Sequence, residues 1–207
     1  VSMVSASYGL GYRNLGAVDK YGIDGSVAFK PVDALSLYVF GSWMKSKIKD
    51  NVQAGLCSAA QVTSGALGCT AVGQPAFYAT KGKRESGAPA YNYGASARGT
   101  LGPVEIGVTA KRTGGRYIYD TNEPLVFSGY QVYPAKTNAY WLVNLDARIS
   151  LEPIGLNDKS FVQLNVYNLT DAFYVGNFTS GISPAGSPPF AQMGAPRTVS
   201  GTLVFAF

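Results

Sequence analysis

Apolar and polar residues alternate with period two along most of this chain, as they do in strands that present one apolar and one polar face. From Tyr140 onward, Trp141, Val143, Leu145, Ala147, Ile149 and Leu151 share one side, against Asn144, Asp146, Arg148 and Ser150 on the other. The same rhythm sets Val162, Leu164 and Val166 against Gln163, Asn165 and Tyr167, and Ile106, Val108 and Ala110 against Glu105, Thr109 and Lys111. Tyr93, Ala95, Ala97 and Leu101 oppose Asn92, Ser96, Arg98 and Thr100, while Val199, Leu203, Phe205 and Phe207 oppose Thr198, Ser200 and Thr202. Two further strands fall near 21–30 and 34–45, and a weaker one near 1–13. The pattern predicts an all-β fold of about eight long antiparallel strands, connected up and down, in one domain over 1–207.

The connections between these strands alternate in length. Short links at Lys30–Asp33, Leu101–Pro103 and Pro153–Asp158 are marked by Gly or Pro, whereas long ones run over about 46–86, 115–137 and 169–194. Up-and-down connectivity then gathers all the long loops at one end, the arrangement of an outer-membrane barrel with short periplasmic turns and longer outer loops. Strands of roughly 10 residues suffice to cross a bilayer at a tilt. Alternation itself fits either a soluble sandwich, with its apolar face inward, or a membrane barrel, with that face toward lipid. Tyr91, Tyr93, Tyr140, Trp141, Trp43, Phe205 and Phe207 lie near strand ends, where amphipathic rings mark the membrane boundary.

Composition narrows the chemistry. The chain has 207 residues, 46% hydrophobic and only 14% charged, against roughly 25% charged in ordinary soluble domains. No run approaches the roughly 18 apolar residues of a membrane-spanning helix. Val1-Ser2-Met3-Val4 lacks the basic start and apolar core of a secretory signal, which predicts a fragment or a processed product. The absence of His removes His-dependent nucleophiles, His general bases and His-ligated metals, so no enzyme, cofactor or metal site is expected. Cys57 and Cys69 stand in a Gly/Ser/Ala-rich stretch, which fits a loop disulfide in an oxidising compartment, with two free thiols as the alternative. The net charge of +5 is divided among short clusters, not the concentrated footprint of a nucleic-acid partner.

Asn168-Leu169-Thr170-Asp171 followed by Tyr174, and Gly194-Ala195-Pro196-Arg197 leading into the last strand, resemble a late motif and the start of the closing strand in TonB-dependent outer-membrane receptors. Gly82-Lys83-Arg84 with Gly87-Ala88-Pro89, the loop from Tyr117 to Asn122, and Tyr21-Gly22-Ile23-Asp24-Gly25 resemble further segments in the same order, with Asp24 where Glu is usual. The resemblance implies the C-terminal portion of a 22-stranded transmembrane barrel, present as an open arc and without the plug domain. It further implies TonB-coupled uptake of a scarce, bulky nutrient of the ferric siderophore, cobalamin or oligosaccharide class across the bacterial outer membrane. The implied partners are outer-membrane lipids, the plug and remaining strands of the same receptor, TonB through the absent N-terminal part, and the barrel-assembly machinery. A complete small eight-stranded outer-membrane barrel and a soluble β-sandwich binding module remain open alternatives.

Within that frame, Phe205 and Phe207 resemble the terminal signature read by the assembly machinery. Asn168 and Asp171 are expected to serve local backbone groups. Arg98, Lys111, Asp146 and Arg148, on the polar face, are expected to pair with one another or with the plug. Tyr117, Tyr119, Tyr130 and Tyr133 beside Arg116 form the candidate ligand-contact loop, since rings beside a cation suit flat aromatic chelates or sugars. Packing of these rings within the loop is the alternative. Lys81, Lys83 and Arg84 suggest contact with anionic lipopolysaccharide or an anionic ligand, or a solvated loop.

Overall fold

The computed structural model describes residues 2–6, 9–13, 16–184 and 189–207, the first two stretches by backbone alone. In chain order it begins with a hairpin of β1 (Ser2–Ala6) and β2 (Gly9–Arg13). Then follow the long strands β3 (Val18–Val32) and β4 (Leu35–Ile48). The first long loop holds β5 (Val52–Leu56), the short helix α1 (Ala59–Ser64) and β6 (Pro75–Tyr78). β7 (Tyr91–Leu101) and β8 (Val104–Thr113) return to the sheet, and the second loop forms the hairpin of β9 (Leu125–Phe127) and β10 (Tyr130–Tyr133). β11 (Tyr140–Ser150) and β12 (Phe161–Tyr167) precede a third loop with β13 (Val175–Phe178) and β14 (Ala191–Met193), and β15 (Thr198–Val204) ends the sheet.

Seven strands form one antiparallel sheet in the order β15-β12-β11-β8-β7-β4-β3. The expected eighth strand over 1–13 does not join it. That segment folds on itself, Ala6 pairing with Gly9, and forms a separate two-stranded sheet. Gly9 and Gly11 weaken a strand and favour a bend, which explains the difference. The edges are therefore β3 and β15, and no ladder joins them among the described residues; the sheet is open. Among the described residues one parallel bridge, Tyr119 to Gly181, lies in the loops.

The register shows which side chains share a face. One row runs Val27, Val39, Ala95, Ala110, Val143, and the next Phe29, Leu37, Ala97, Val108, Leu145, Val166, Val199. On the opposite face one row runs Ser36, Arg98, Gly107, Asp146, Asn165, Ser200. The apolar face is uncovered: Ile23 is 77% exposed, Val27 68% and Val199 61%. The buried apolar residues lie almost wholly in the long loops, with only Ile48 and Val166 contributed by sheet strands. A sandwich would cover the apolar face with a second layer, and none packs there among the described residues. On the polar face a depression of about 380 Å³ is lined by Arg98, Glu105, Asn144, Asp146 and Arg148.

Candidate functional site

Tight turns close one end of the sheet. Gly102 adopts φ 58° between β7 and β8, and Gly155 φ 90° between β11 and β12, a region in which a Cβ is costly. The three long loops therefore meet at the other end, and each is built differently. In the first, Cys57 and Cys69 form a disulfide with Cα atoms 5.7 Å apart, and Ala76, Val62 and Leu67 pack around it. Ser58 caps α1 in a capping box with Gln61. The fully buried Thr80 hydroxyl accepts from the Val52 N–H at 3.0 Å and donates to the Asp50 carbonyl at 2.9 Å.

Backbone groups knit the loops together. The Arg84 N–H donates to Asn122 Oδ1 at 2.9 Å, and Asn122 Nδ2 donates back to the Arg84 carbonyl at 2.8 Å. Asn122 is held at φ 55° to do so. The Ser86 N–H donates to the buried Asp120 carboxylate at 2.8 Å, and the Gly87 N–H to the Tyr117 carbonyl at 2.9 Å. Burial nonetheless holds the Asp120 carboxyl above its ordinary range, with Glu85 adding to the rise and the Ser86 contacts opposing it. On its far side the second loop meets the third: the Asp120 and Thr121 N–H groups donate to the carbonyls of Gly181 and Ile182, both at 2.9 Å.

Between the second and third loops lies a cavity of about 300 Å³. Its walls are chiefly apolar and aromatic, including Tyr133, Tyr140, Phe173, Tyr174, Phe178 and Met193. Tyr140 and Tyr174 stack with centroids 4.4 Å apart. Tyr140, on the face of Asn144 and Asp146, places the cavity beside the loop end of β11. Its size reaches the lower range of small-molecule pockets. Among the described residues no group of three acidic or thiol side chains could hold a metal.

The structure separates the five residues of the candidate contact loop. Arg116 turns inward, its Nη2 donating to the Val175 carbonyl at 2.6 Å and to Gly176 at 3.2 Å, with the guanidinium 4.8 Å from the Phe178 ring. Tyr119 is buried with Ile118 and Leu125, and that burial raises its pKa. Tyr117 lies under Lys136, whose Nζ is 5.4 Å from the ring. Tyr130 is exposed at the hairpin tip, and only Tyr133 lines the cavity. Arg116 and Tyr119 thus serve the loop's interior, because a guanidinium can satisfy several carbonyls that the loop leaves unpaired. Tyr140, Phe173, Tyr174 and Phe178, absent from the expected site, complete the cavity; their sequence signals are a strand-end ring for Tyr140 and aromatic density at and after the Asn168 motif for the others.

The two late motifs meet in space. Asn168 Nδ2 donates to the Ala172 and Ala195 carbonyls, both at 3.0 Å, while its Oδ1 accepts from the Ala172 N–H at 2.9 Å. Asp171 Oδ1 accepts from the Arg197 N–H at 2.8 Å. A Cβ on Gly194 would stand 1.9 Å from the Tyr174 ring, so only glycine passes beneath it. On the polar face, Arg98 pairs with Asp146 at 2.9 Å and with Glu105. Gly107 lies between Arg98 and Asp146, and a side chain there would collide with both. Lys111 shares the face without an ion pair among the described residues, and Arg148 lies 3.8 Å from the Phe161 ring. Phe205 and Phe207 are exposed beyond the end of β15. Lys83 and Arg84 are half-buried, and Arg84 Nη2 donates to the Met44 carbonyl at 2.8 Å.

No protein-family model and no curated protein matches the chain. Solved structures do. The ferric yersiniabactin uptake receptor FyuA from Yersinia pestis superposes with a TM-score of 0.62 at 16% identity, over 93% of this chain and 24% of that one. The ferric citrate transporter FecA, unliganded, gives 0.61 at 13% identity over 89% of this chain and 23% of its own. The siderophore receptor PiuA from Acinetobacter baumannii gives 0.56 at 15% identity over 88% and 20%. The chain therefore spans about a quarter or less of the length of these receptors. At this identity the likeness establishes the fold alone, an open antiparallel sheet that superposes on part of the barrels of these receptors.

Proposed function

We propose that residues 1–207 form the C-terminal part of the β-barrel of a TonB-dependent outer-membrane receptor. On this reading the parent protein takes up a scarce, bulky nutrient of the ferric siderophore, cobalamin or oligosaccharide class, with energy delivered through TonB to a plug domain. The chain itself is a transport element and not an enzyme. One observation carries the reading. Seven strands present an uncovered apolar face on one side and a polar face with ion pairs on the other, the polarity expected of a wall between lipid and a wet lumen. The similarity to FyuA, FecA and PiuA supports the same reading.

Within it, the plug and the upstream strands are the partners of the polar face and of the β3 edge. Tyr133, Tyr140, Tyr174 and Phe178 are the ligand contacts that this chain supplies. Their rings suit a ligand bearing flat aromatic or sugar rings. The test is uptake by cells carrying the full-length protein: accumulation of a labelled ferric chelate, cobalamin or oligosaccharide should require TonB and fall on Tyr174→Ala. TonB-independent accumulation, or a protein that fractionates away from the outer membrane, would refute the reading.

A further inference from the structure

The cavity of about 300 Å³ between the second and third loops carries no charged side chain on its walls among the described residues. Arg116 lies two positions from Ile118, a wall residue, but its Nη2 is committed to the Val175 and Gly176 carbonyls. Lys136 stands over the Tyr117 ring instead. An ionised group entering such a cavity would shed its water without gaining a partner, which is costly. A sugar would bring a rim of hydroxyls, each needing a hydrogen bond, to walls whose polar side chains are Thr137, Asn138 and the tyrosines. A flat uncharged ring has no such need and gains contact with the surrounding aromatic faces. An apolar cavity of about 150 Å³ holds one benzene, so this one admits about two fused rings.

One wall of the cavity is set by a glycine that does not line it. The Gly194 N–H donates to the Tyr174 carbonyl at 2.8 Å, which pins the entry to β15 beside that residue. The Tyr174 ring crosses Gly194 so closely that a Cβ there would collide with ring carbon Cζ. Gly176 crowds the same backbone, since a Cβ on it would lie 3.3 Å from Gly194 Cα. The strand entry therefore has little room to retreat, and a side chain at position 194 would turn the ring out of its place. That ring stacks on Tyr140 with centroids 4.4 Å apart, and both rings are cavity walls.

We infer that Gly194 is the specificity-determining residue of a site for one uncharged aryl group, an arm of the transported nutrient whose charged or metal-bearing body stays outside the cavity. The inference rests on the reading of these rings as ligand contacts and deepens it. Of the proposed nutrient classes it selects a chelate with an uncharged aryl arm over an oligosaccharide.

The test titrates the full-length protein, reconstituted in lipid nanodiscs, with 4-fluorophenol and 4-fluorobenzoate at neutral pH. Binding is read from the Met193 methyl resonance, assigned by its loss in Met193→Leu, because Met193 is a cavity wall. Fluorophenol should shift that resonance saturably, and fluorobenzoate should not. Gly194→Ala should weaken fluorophenol binding by up to about tenfold, the loss of one ring contact. In a Tyr174→Leu background the same change should cost no more than about twofold, because the ring it strikes is gone. A glycine needed only by the strand entry would cost the same in both backgrounds, and that result overturns its role. Equal or tighter binding of fluorobenzoate, with Arg116 as its partner, overturns the choice of an uncharged ring. If Gly194→Ala fails to assemble, Gly194→Ala/Tyr174→Leu should assemble and bind as Tyr174→Leu does; failure of both overturns the contact. The titration needs neither TonB nor the nutrient. Absence of fluorophenol binding beside intact TonB-dependent uptake therefore sinks this site alone, whereas saturable binding beside TonB-independent uptake refutes the transport reading and leaves the aryl site standing.

Discussion

Asn168 sits at φ 51°, almost fully buried, and commits its amide to three backbone groups that neither β12 nor β15 pairs. Asn168→Ala leaves those groups unpaired in a site closed to water, at a cost of about 2–3 kcal/mol. Urea unfolding of the parent barrel in bilayers measures this, and an unchanged midpoint would make the contact incidental. Asp120 behaves differently, because its burial works against its charge. Its pKa in the folded loops lies above the ordinary 3.8, so the folded state binds the proton more tightly than the unfolded state does. The stabilisation from protonated Asp120 is complete below that ordinary value and is lost as pH rises through the raised one. Glu85, which faces it, is partnered by Lys20 at 2.5 Å. Asp120→Asn keeps the acceptor for the Ser86 N–H and removes the charge. Amide exchange at 84–87 and 118–122, compared with the parent at each pH, should show protection gained at neutral pH and no difference at low pH. A variant less protected at neutral pH would contradict this account.

Each long loop is an element with its own source of order. The first relies on a covalent tie, since the apolar cluster around Cys57, Cys69 and Ala76 is small. Closing a loop of this length by a disulfide is worth about 3 kcal/mol in the chain-entropy model. Cys57→Ser/Cys69→Ser should raise amide exchange across 52–78 and leave β7 and β8 protected, because among the described residues no disulfide or buried apolar cluster links that lobe to those strands. Equal loss of protection in β8 would show that the lobe braces the wall. The second and third loops instead share hydrogen bonds and the Arg116 guanidinium. Arg116→Lys should loosen both together, since an ammonium lacks the planar face that lies against the Phe178 ring while Nη2 donates to both carbonyls. Amide exchange confined to one loop would count against this coupling.

At the scale of the whole molecule, the sidedness of the sheet is the property to test. Val39 lies near the middle of the apolar face, whereas Ser200 lies on the polar one. Val39→Arg should destabilise the assembled barrel by about 2–4 kcal/mol, the cost of a basic side chain near the bilayer midplane. Ser200→Arg should be tolerated, because its side chain points to the wet side. Heat-modifiability on gels and urea titration in vesicles distinguish the two, and the reverse ranking would invert the wall.

The strands, their two faces and the alternation of turns with long loops were legible in the sequence, since a period of two needs only neighbouring residues to be seen. The role of Asn168 and Asp171 was legible too, for such side chains bond to nearby backbone wherever a strand gives way to a loop. The pairing of 1–13 with itself was not: weak alternation with Gly9 and Gly11 allows both a strand and a hairpin. Nor was the separation of Arg116 and Tyr119 from Tyr133, or the meeting of Tyr140 with Tyr174 across 34 positions of chain. Loop side chains follow no period. Their neighbours are chosen by backbone groups that must find partners once the loops are brought together, and only the tertiary structure decides which side chains are drawn inward to satisfy them.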